Sequence, residues 1–114
     1  MAEPLRQANA KPKTVSVLGS TGSVGCNTLD LVRRNAGAFV IEALTAGRNV
    51  ELLAAQVREF RPKLAVIGDE SRYRDLKDAL AGTETEVAAG TAAVAEAAAR
   101  PADWVMSAIV GAAG

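Results

Sequence analysis

From Thr14 onward, short apolar runs alternate with longer stretches in which apolar side chains recur every three or four positions. Residues 14–18, rich in β-branched side chains, predict a strand, and residues 26–35 a helix. That helix carries Val24, Leu31 and Val32 on its apolar side, joined by Leu29 and Cys26. Arg33 and Arg34 stand near its C-terminal end, where cations complement the helix dipole, and Asn35-Ala36-Gly37 ends it. Residues 39–45 predict a second strand. Asn49 is a good N-cap for a helix over 50–60, in which Leu53, Val57 and Phe60 fall at i, i+4 and i+7 beside Leu52. Pro62 stops that helix. Residues 64–67 form a third strand ending at Gly68-Asp69. Residues 70–81 are polar, with Tyr73, Leu76 and Leu80 at helical spacing and Gly82 closing the segment. A weak fourth strand covers 85–89, Thr91 caps a helix over 92–100 that Pro101 ends, and 104–110 predict a fifth strand before Gly111-Ala112-Ala113-Gly114.

This strict alternation predicts an α/β fold: a Rossmann-like, doubly wound parallel sheet of about five strands, with right-handed crossovers and helices on both faces. Residues 1–13 are polar, contain Pro4 and Pro12 and have no period, which predicts a mobile leader ahead of one domain over 14–114. A strand reaching a glycine-rich turn should lead into another helix. None follows Gly114, so the domain is expected to be truncated at its C-terminus and to belong to a longer protein.

Ligands of such sheets bind outside the C-terminal strand ends. Three glycine-bearing loops lie there: 19–25, 47–49 and 111–114. The first reads Gly19-Ser20-Thr21-Gly22-Ser23-Val24-Gly25, between a strand and a helix. Gly19 permits a tight turn, Gly22 lets a pyrophosphate approach the backbone, and Gly25 lets the helix pack closely on the strand. The first amides of that helix lack intrahelical partners and, with the dipole, favour an anion. The spacing is Gly-x-x-Gly-x-x-Gly, a variant of the dinucleotide fingerprint shared by several nucleotide-binding families. At the end of the second strand, where an NAD site places a carboxylate, stand Ala46-Gly47-Arg48-Asn49; Glu42 lies within the strand. The planar, permanently charged fork of Arg48 suits a 2′-phosphate, and Asn49 adds a polar contact, so the pattern favours NADP over NAD.

Composition narrows the chemistry. The 114 residues carry 13 basic and 13 acidic side chains, which points away from nucleic acid and membrane surfaces. No run is long and apolar enough for a membrane span, and no signal peptide precedes the first strand. The single cysteine fits a reducing, cytoplasmic compartment, and Cys26 itself reads as a small buried hydrophobe. The chain has no histidine. With no base to activate them, Ser20, Thr21 and Ser23 are phosphate hydrogen-bonders rather than nucleophiles. Asp69 and Glu70 read as acids at a helix start, and Trp104 as a core residue. No catalytic and no metal-ligating residue is assigned.

Taken in order, Leu18-Gly19-Ser20-Thr21-Gly22-Ser23-Val24-Gly25, then Thr28-Leu29-Asp30, then Ala46-Gly47-Arg48-Asn49-Val50-Glu51, then Ala108-Ile109-Val110-Gly111-Ala112-Ala113-Gly114 resemble the N-terminal part of 1-deoxy-D-xylulose 5-phosphate reductoisomerase. The resemblance runs from about Thr14 to the end. It implies an NADPH-dependent oxidoreductase of non-mevalonate isoprenoid biosynthesis, which rearranges its phosphosugar substrate and reduces the resulting aldehyde to 2-C-methyl-D-erythritol 4-phosphate. It further implies a homodimer with Mg²⁺ or Mn²⁺ at the substrate. Carried over by residue, Thr21, Gly22, Ser23 and Val24 match the family's pyrophosphate and ribose contacts. Gly47, Arg48 and Asn49 match its adenosine 2′-phosphate loop, where many members have Lys in place of Arg48. Residues 108–114 match a segment near the nicotinamide. The family's later Asn-Lys-Glu and Asp-Ser-Glu motifs, its lid and its C-terminal helical domain do not occur, so the 114 residues alone are expected to be catalytically inactive. Two other readings stay open. One is a fragment of another NADP-dependent oxidoreductase, although neither the Tyr-x-x-x-Lys of an extended short-chain reductase nor the later catalytic cysteine of a semialdehyde dehydrogenase occurs. The other is a non-catalytic NADP-sensing module.

Overall fold

The computed structural model describes residues 12–107. The expected leader lies almost wholly outside these residues, as does the 108–114 segment. Five strands alternate with four helices: β1 (Lys13–Leu18), α1 (Ser23–Arg34), β2 (Phe39–Ala46), α2 (Val50–Phe60), β3 (Leu64–Ile67), α3 (Tyr73–Ala79), β4 (Glu86–Ala89), α4 (Thr91–Ala99) and β5 (Trp104–Ser107). A single 3₁₀ turn, Glu70–Arg72, leads into α3. All ladders are parallel and the strand order is β4-β3-β2-β1-β5. The chain therefore steps outward from β1 to β4, crosses back through α4, and lays β5 on the other side of β1. The direction of progression reverses between β1 and β5. Such a switch point opens a crevice at the C-terminal strand ends, and the Gly19–Gly25 segment leaves β1 there.

The two faces of the sheet bury different side chains. Val15, Val17, Ile41, Leu44, Ala46, Ala65 and Ile67 pack beneath α1, α2 and α3, which contribute Leu29, Val32, Leu53, Val57 and Leu76, with Leu80 at the C-cap of α3. Leu18, Ala43, Leu64 and Val66 form a smaller cluster beneath Ala97 of α4. Strand alternation would send Ile41 and Leu44 to opposite faces, since they are three residues apart. A register shift between Val15 and Ser16 pairs Val15 with Ile41 and Ser16 with Ala43, so Glu42 is the extra residue of a bulge. The bulge resets the phase of β2. It also leaves the largely buried Glu42 carboxylate facing Arg100, whose Nε and Nη2 donate to it at 3.0 and 2.7 Å, tying the end of α4 to β2.

Several expected placements are corrected. Val24 and Leu31 are 56% and 58% exposed, while the buried stripe of α1 is Gly25, Leu29 and Val32. Residues 24 and 31 form one possible apolar stripe and 25, 29 and 32 the next. Contact of the Gly25 backbone with the turn below selects the second. Thr91 is the first residue of α4 rather than its cap. Gly90 occupies the cap position without a side-chain acceptor. Trp104 is not core: it is 50% exposed on a fully exposed β5, with one face against Phe39 at a ring-centroid distance of 5.5 Å. Cys26 is only partly buried.

Candidate nucleotide-binding rim

The turn after β1 is built from the backbone outward. Gly19 takes φ +80°, which a side chain would strain. Its amide and that of Ser20 both donate to the Thr45 carbonyl, at 2.9 and 2.8 Å, and the Gly19 amide also reaches the Thr45 hydroxyl at 3.1 Å. The glycine turn is thus fastened to the C-terminal end of β2, two residues before Gly47. A Cβ on Gly25 would stand 2.2 Å from the Gly19 carbonyl oxygen and 2.6 Å from Ser20 Cα, so the first turn of α1 lies on bare backbone. At Gly22 an added Cβ would meet only the Gly19 carbonyl oxygen, at 3.7 Å. Its lack of a side chain therefore serves no internal contact and leaves the approach to the turn open.

Gly22 is the N-cap of α1, no side chain caps the helix, and its first turn contains no acidic residue. Neither a cap side chain nor an acid of its own first turn offsets the positive end of this helix's dipole. Gly22, Ser23 and Val24 are exposed and Thr21 partly so. Ser20 is different. It is fully buried, and its hydroxyl donates to Gln56 Oε1 at 2.7 Å. The expectation that Ser20 offers its hydroxyl to a phosphate is therefore withdrawn, because that hydroxyl already has an internal acceptor.

The neighbouring loop holds Gly47, Arg48 and Asn49, all exposed. Asn49 caps α2 as expected, its Oδ1 accepting from the Leu52 amide at 3.0 Å. This leaves its Nδ2 as the group with hydrogen-bonding capacity to spare. The Val50 amide donates back to the Arg48 carbonyl at 2.9 Å, a tight turn that raises Arg48 on the rim. Past β3, the Gly68 amide donates to the Ala46 carbonyl at 2.7 Å and the Asp69 amide to that of Gly47 at 2.9 Å, extending the ladder along the loop. Asp69 also brings a carboxylate that strand-end reasoning on β2 alone did not include: its Oδ2 lies 3.3 Å from Arg48 Nε and 4.0 Å from Arg72 Nε. Asp69 also caps the 3₁₀ turn, as its reading as a helix-start acid predicts. Bonds from the Ser71 hydroxyl and amide, followed by the charges of Arg48 and Arg72, hold its carboxyl below the usual carboxylate range. Two guanidiniums share one carboxylate.

Among the described residues no three histidine, cysteine or carboxylate side chains converge as a metal site. A cavity of about 540 Å³ lies at the N-terminal ends of β3 and β4, lined by Arg58, Arg61, Lys63 and Thr85 among others, and is not part of this rim. The residues that sequence reasoning missed are Thr45, Gln56 and Asp69 as a partner of Arg48. Each acts on a residue 21 to 36 positions away, and no local pattern signals such contacts.

A parallel sheet with a switch point beside a glycine turn and an uncapped helix defines a Rossmann-type domain. Residues 15–114 match the family model of 1-deoxy-D-xylulose 5-phosphate reductoisomerase. The chain is 61% identical over 102 residues to the reductoisomerase of Rhodospirillum centenum, covering 90% of this chain and 25% of the relative. It is 60% identical over 107 residues to that of Caulobacter vibrioides, covering 94% and 27%. Among solved structures, the Zymomonas mobilis reductoisomerase in complex with NADPH superposes with a TM-score of 0.87 at 54% identity, covering 90% of this chain and 27% of that one. A reductoisomerase complex with NADPH, fosmidomycin and magnesium superposes at 0.82 with 34% identity, covering 89% and 25%. The chain belongs to the 1-deoxy-D-xylulose 5-phosphate reductoisomerase family. It spans about a quarter of the length of these relatives.

Proposed function

We propose that this chain is the NADPH-binding part of an enzyme that rearranges 1-deoxy-D-xylulose 5-phosphate and reduces it to 2-C-methyl-D-erythritol 4-phosphate. The observation that carries this reading is the uncapped, acid-free start of α1 beside the Arg48 loop, both fastened to the end of β2. In this reading Thr21, Gly22, Ser23 and Val24 bind the pyrophosphate and adjoining ribose: Thr21, Ser23 and Val24 offer their amides, Gly22, whose own amide donates to the Gly19 carbonyl at 3.2 Å, offers close backbone approach, and the exposed Val24 side chain gains cover from the ligand. Gly47, Arg48 and Asn49 bind the adenosine 2′-phosphate, with the guanidinium supplying charge and Asn49 Nδ2 a neutral donor. The bound cofactor supplies the hydride that reduces the aldehyde, and this chain's own residues bind and orient it.

No catalytic residue is assigned to the 114 residues, and turnover is proposed to need sequence found in the longer relatives. The Mg²⁺ or Mn²⁺ of the whole enzyme is likewise assigned to that sequence, because the described residues hold no suitable ligand set. A phosphosugar substrate, a homodimeric whole enzyme and a cytoplasmic location complete the proposal. No helix among the described residues is long and apolar enough to cross a membrane.

Titration of the chain with NADPH and with NADH tests the reading. NADPH is expected to bind at least tenfold more tightly. Equal affinity would overturn the 2′-phosphate assignment, and turnover by the purified chain, free of any longer form, would overturn the proposed inactivity.

A further inference from the structure

The geometry points to Gln56 as a positioning residue that holds the phosphate-binding turn through Ser20, an inference that rests on the cofactor reading above. Gln56 projects from the middle of α2 and is 6% exposed. Its Nε2 donates to the Ser20 carbonyl at 2.9 Å, and its Oε1 accepts from the Ser20 hydroxyl at 2.7 Å. With the Ser20 amide held by the Thr45 carbonyl at 2.8 Å, every polar group of Ser20 has a fixed partner. Burying a primary amide is costly unless its hydrogen bonds are made. Packing alone would be served by an apolar residue of similar length. The amide instead satisfies two groups of one residue, immediately before the segment Thr21-Gly22-Ser23-Val24, which is exposed from Gly22 onward.

The same helix begins at the Arg48 loop. Its cap is Asn49, and Gln56 lies seven residues on, about 10 Å along the axis. One rigid element therefore carries the cap of the 2′-phosphate loop at its end and the clamp of the pyrophosphate turn in its middle. The clamp acts on the part of the cofactor that NADPH and NADH share, and Arg48 on the part that distinguishes them.

The test compares Gln56→Leu, which keeps the bulk and removes both bonds, with Ser20→Ala, which removes the hydroxyl bond and keeps the bond from Gln56 Nε2 to the residue-20 carbonyl. Two quantities are read in the 114-residue chain: amide hydrogen exchange over residues 20–24 without cofactor, and the dissociation constants for NADPH and NADH. In Gln56→Leu, exchange in the turn is expected to rise about tenfold while α4 keeps its protection. Both dissociation constants should rise by a similar factor, about tenfold, with their ratio unchanged. Ser20→Ala, the less disruptive variant, should move both readouts in the same direction by a smaller factor and decides the matter where Gln56→Leu does not fold. A purely structural role would lower the melting temperature and leave affinities measured well below it unmoved, which would overturn the inference. A loss confined to NADPH would also overturn it. If the unmutated chain binds neither cofactor, the cofactor reading fails, and unchanged exchange in the turn would then sink the clamp as well.

Discussion

Arg48 Nε lies 3.3 Å from Asp69 Oδ2, so the cation read as the phosphate ligand is already paired with a carboxylate from the neighbouring strand end. Arg48 is nevertheless 74% exposed, and an exposed pair of this kind is weak and readily exchanged for another anion. Arg48→Ala is expected to weaken NADPH binding by about 2 kcal/mol, roughly thirtyfold, and to leave NADH nearly unchanged. Competitive titration of the two cofactors measures the ratio. An equal loss for both would mean that Arg48 does not meet the 2′-phosphate.

Asp69→Asn separates holding Arg48 from repelling the ligand. Asparagine keeps an oxygen for the Ser71 donors and removes the charge beside Arg48. With two guanidiniums left uncompensated, NADPH affinity should rise severalfold at low ionic strength, and the gain should shrink as salt screens it. NADH affinity is expected to stay level. Weaker NADPH binding in this variant would instead identify Asp69 as the group that aims Arg48.

Gly25→Ala and Gly47→Ala are expected to behave in opposite ways. The alanine methyl at 25 would occupy space 2.2 Å from one backbone atom and 2.6 Å from another, neither of which moves without displacing β1 or α1. A loss of about 3 kcal/mol by urea unfolding is expected, at the upper end of overpacking effects. At Gly47 nothing lies within 4 Å of an added Cβ, so stability should change by no more than about 0.5 kcal/mol. A stable Gly25→Ala chain would contradict the backbone contact on which the turn rests.

The three glycines of this turn were legible in the sequence because their role is local: each is set by the few residues around it. The strands β1, β2 and β3 were legible for the same reason, as apolar runs bounded by glycine, asparagine or aspartate. Strand order was not, since placing β5 beside β1 depends on pairing Val15 with Trp104 across almost the whole chain. The rim was legible only where its residues point to solvent. Arg48 and Asn49 declare their chemistry by type. Gln56 and Thr45 look like ordinary helix and strand residues until the fold brings them to Ser20 and Gly19.

The rotation of α1 is open to a direct comparison. Leu53 of α2 is fully buried, and Leu53→Ala should cost about 3–4 kcal/mol from lost burial and the remaining cavity. Leu31→Ala on α1, expected from the sequence on the helix's apolar side, should cost under about 0.5 kcal/mol because its side chain is 58% exposed. Leu29→Ala, from the stripe that is buried, should resemble Leu53→Ala. Urea denaturation of the three variants checks the order, and a large loss at Leu31 would mean that the helix is turned toward the other stripe.

Acid should act on the ends of the sheet before its centre. The Asp103 carboxylate accepts from the Thr14 amide at 2.9 Å and its hydroxyl at 3.3 Å, while the Thr14 hydroxyl accepts from the Asp103 amide at 2.9 Å. This bracket joins the start of β5 to β1. The Thr14 amide bond is the main cause that holds the Asp103 carboxyl below its ordinary range. A depressed folded pKa means stability that is fully present above the unfolded value of about 3.9 and is lost as pH falls through the lower folded value. With no histidine in the chain, no side chain with an ordinary pKa near neutrality titrates between pH 5 and 8, so stability should be flat there and decline below about pH 4. Asp103→Asn should be less stable than the unmutated chain at pH 7, and the two should converge as pH falls through the lowered folded value of Asp103. Urea titrations at a series of pH values, with hydrogen exchange following the β5 amides, measure the convergence. A difference that stays constant throughout the acid range would mean that the charge on Asp103 has no part in holding β5 to β1.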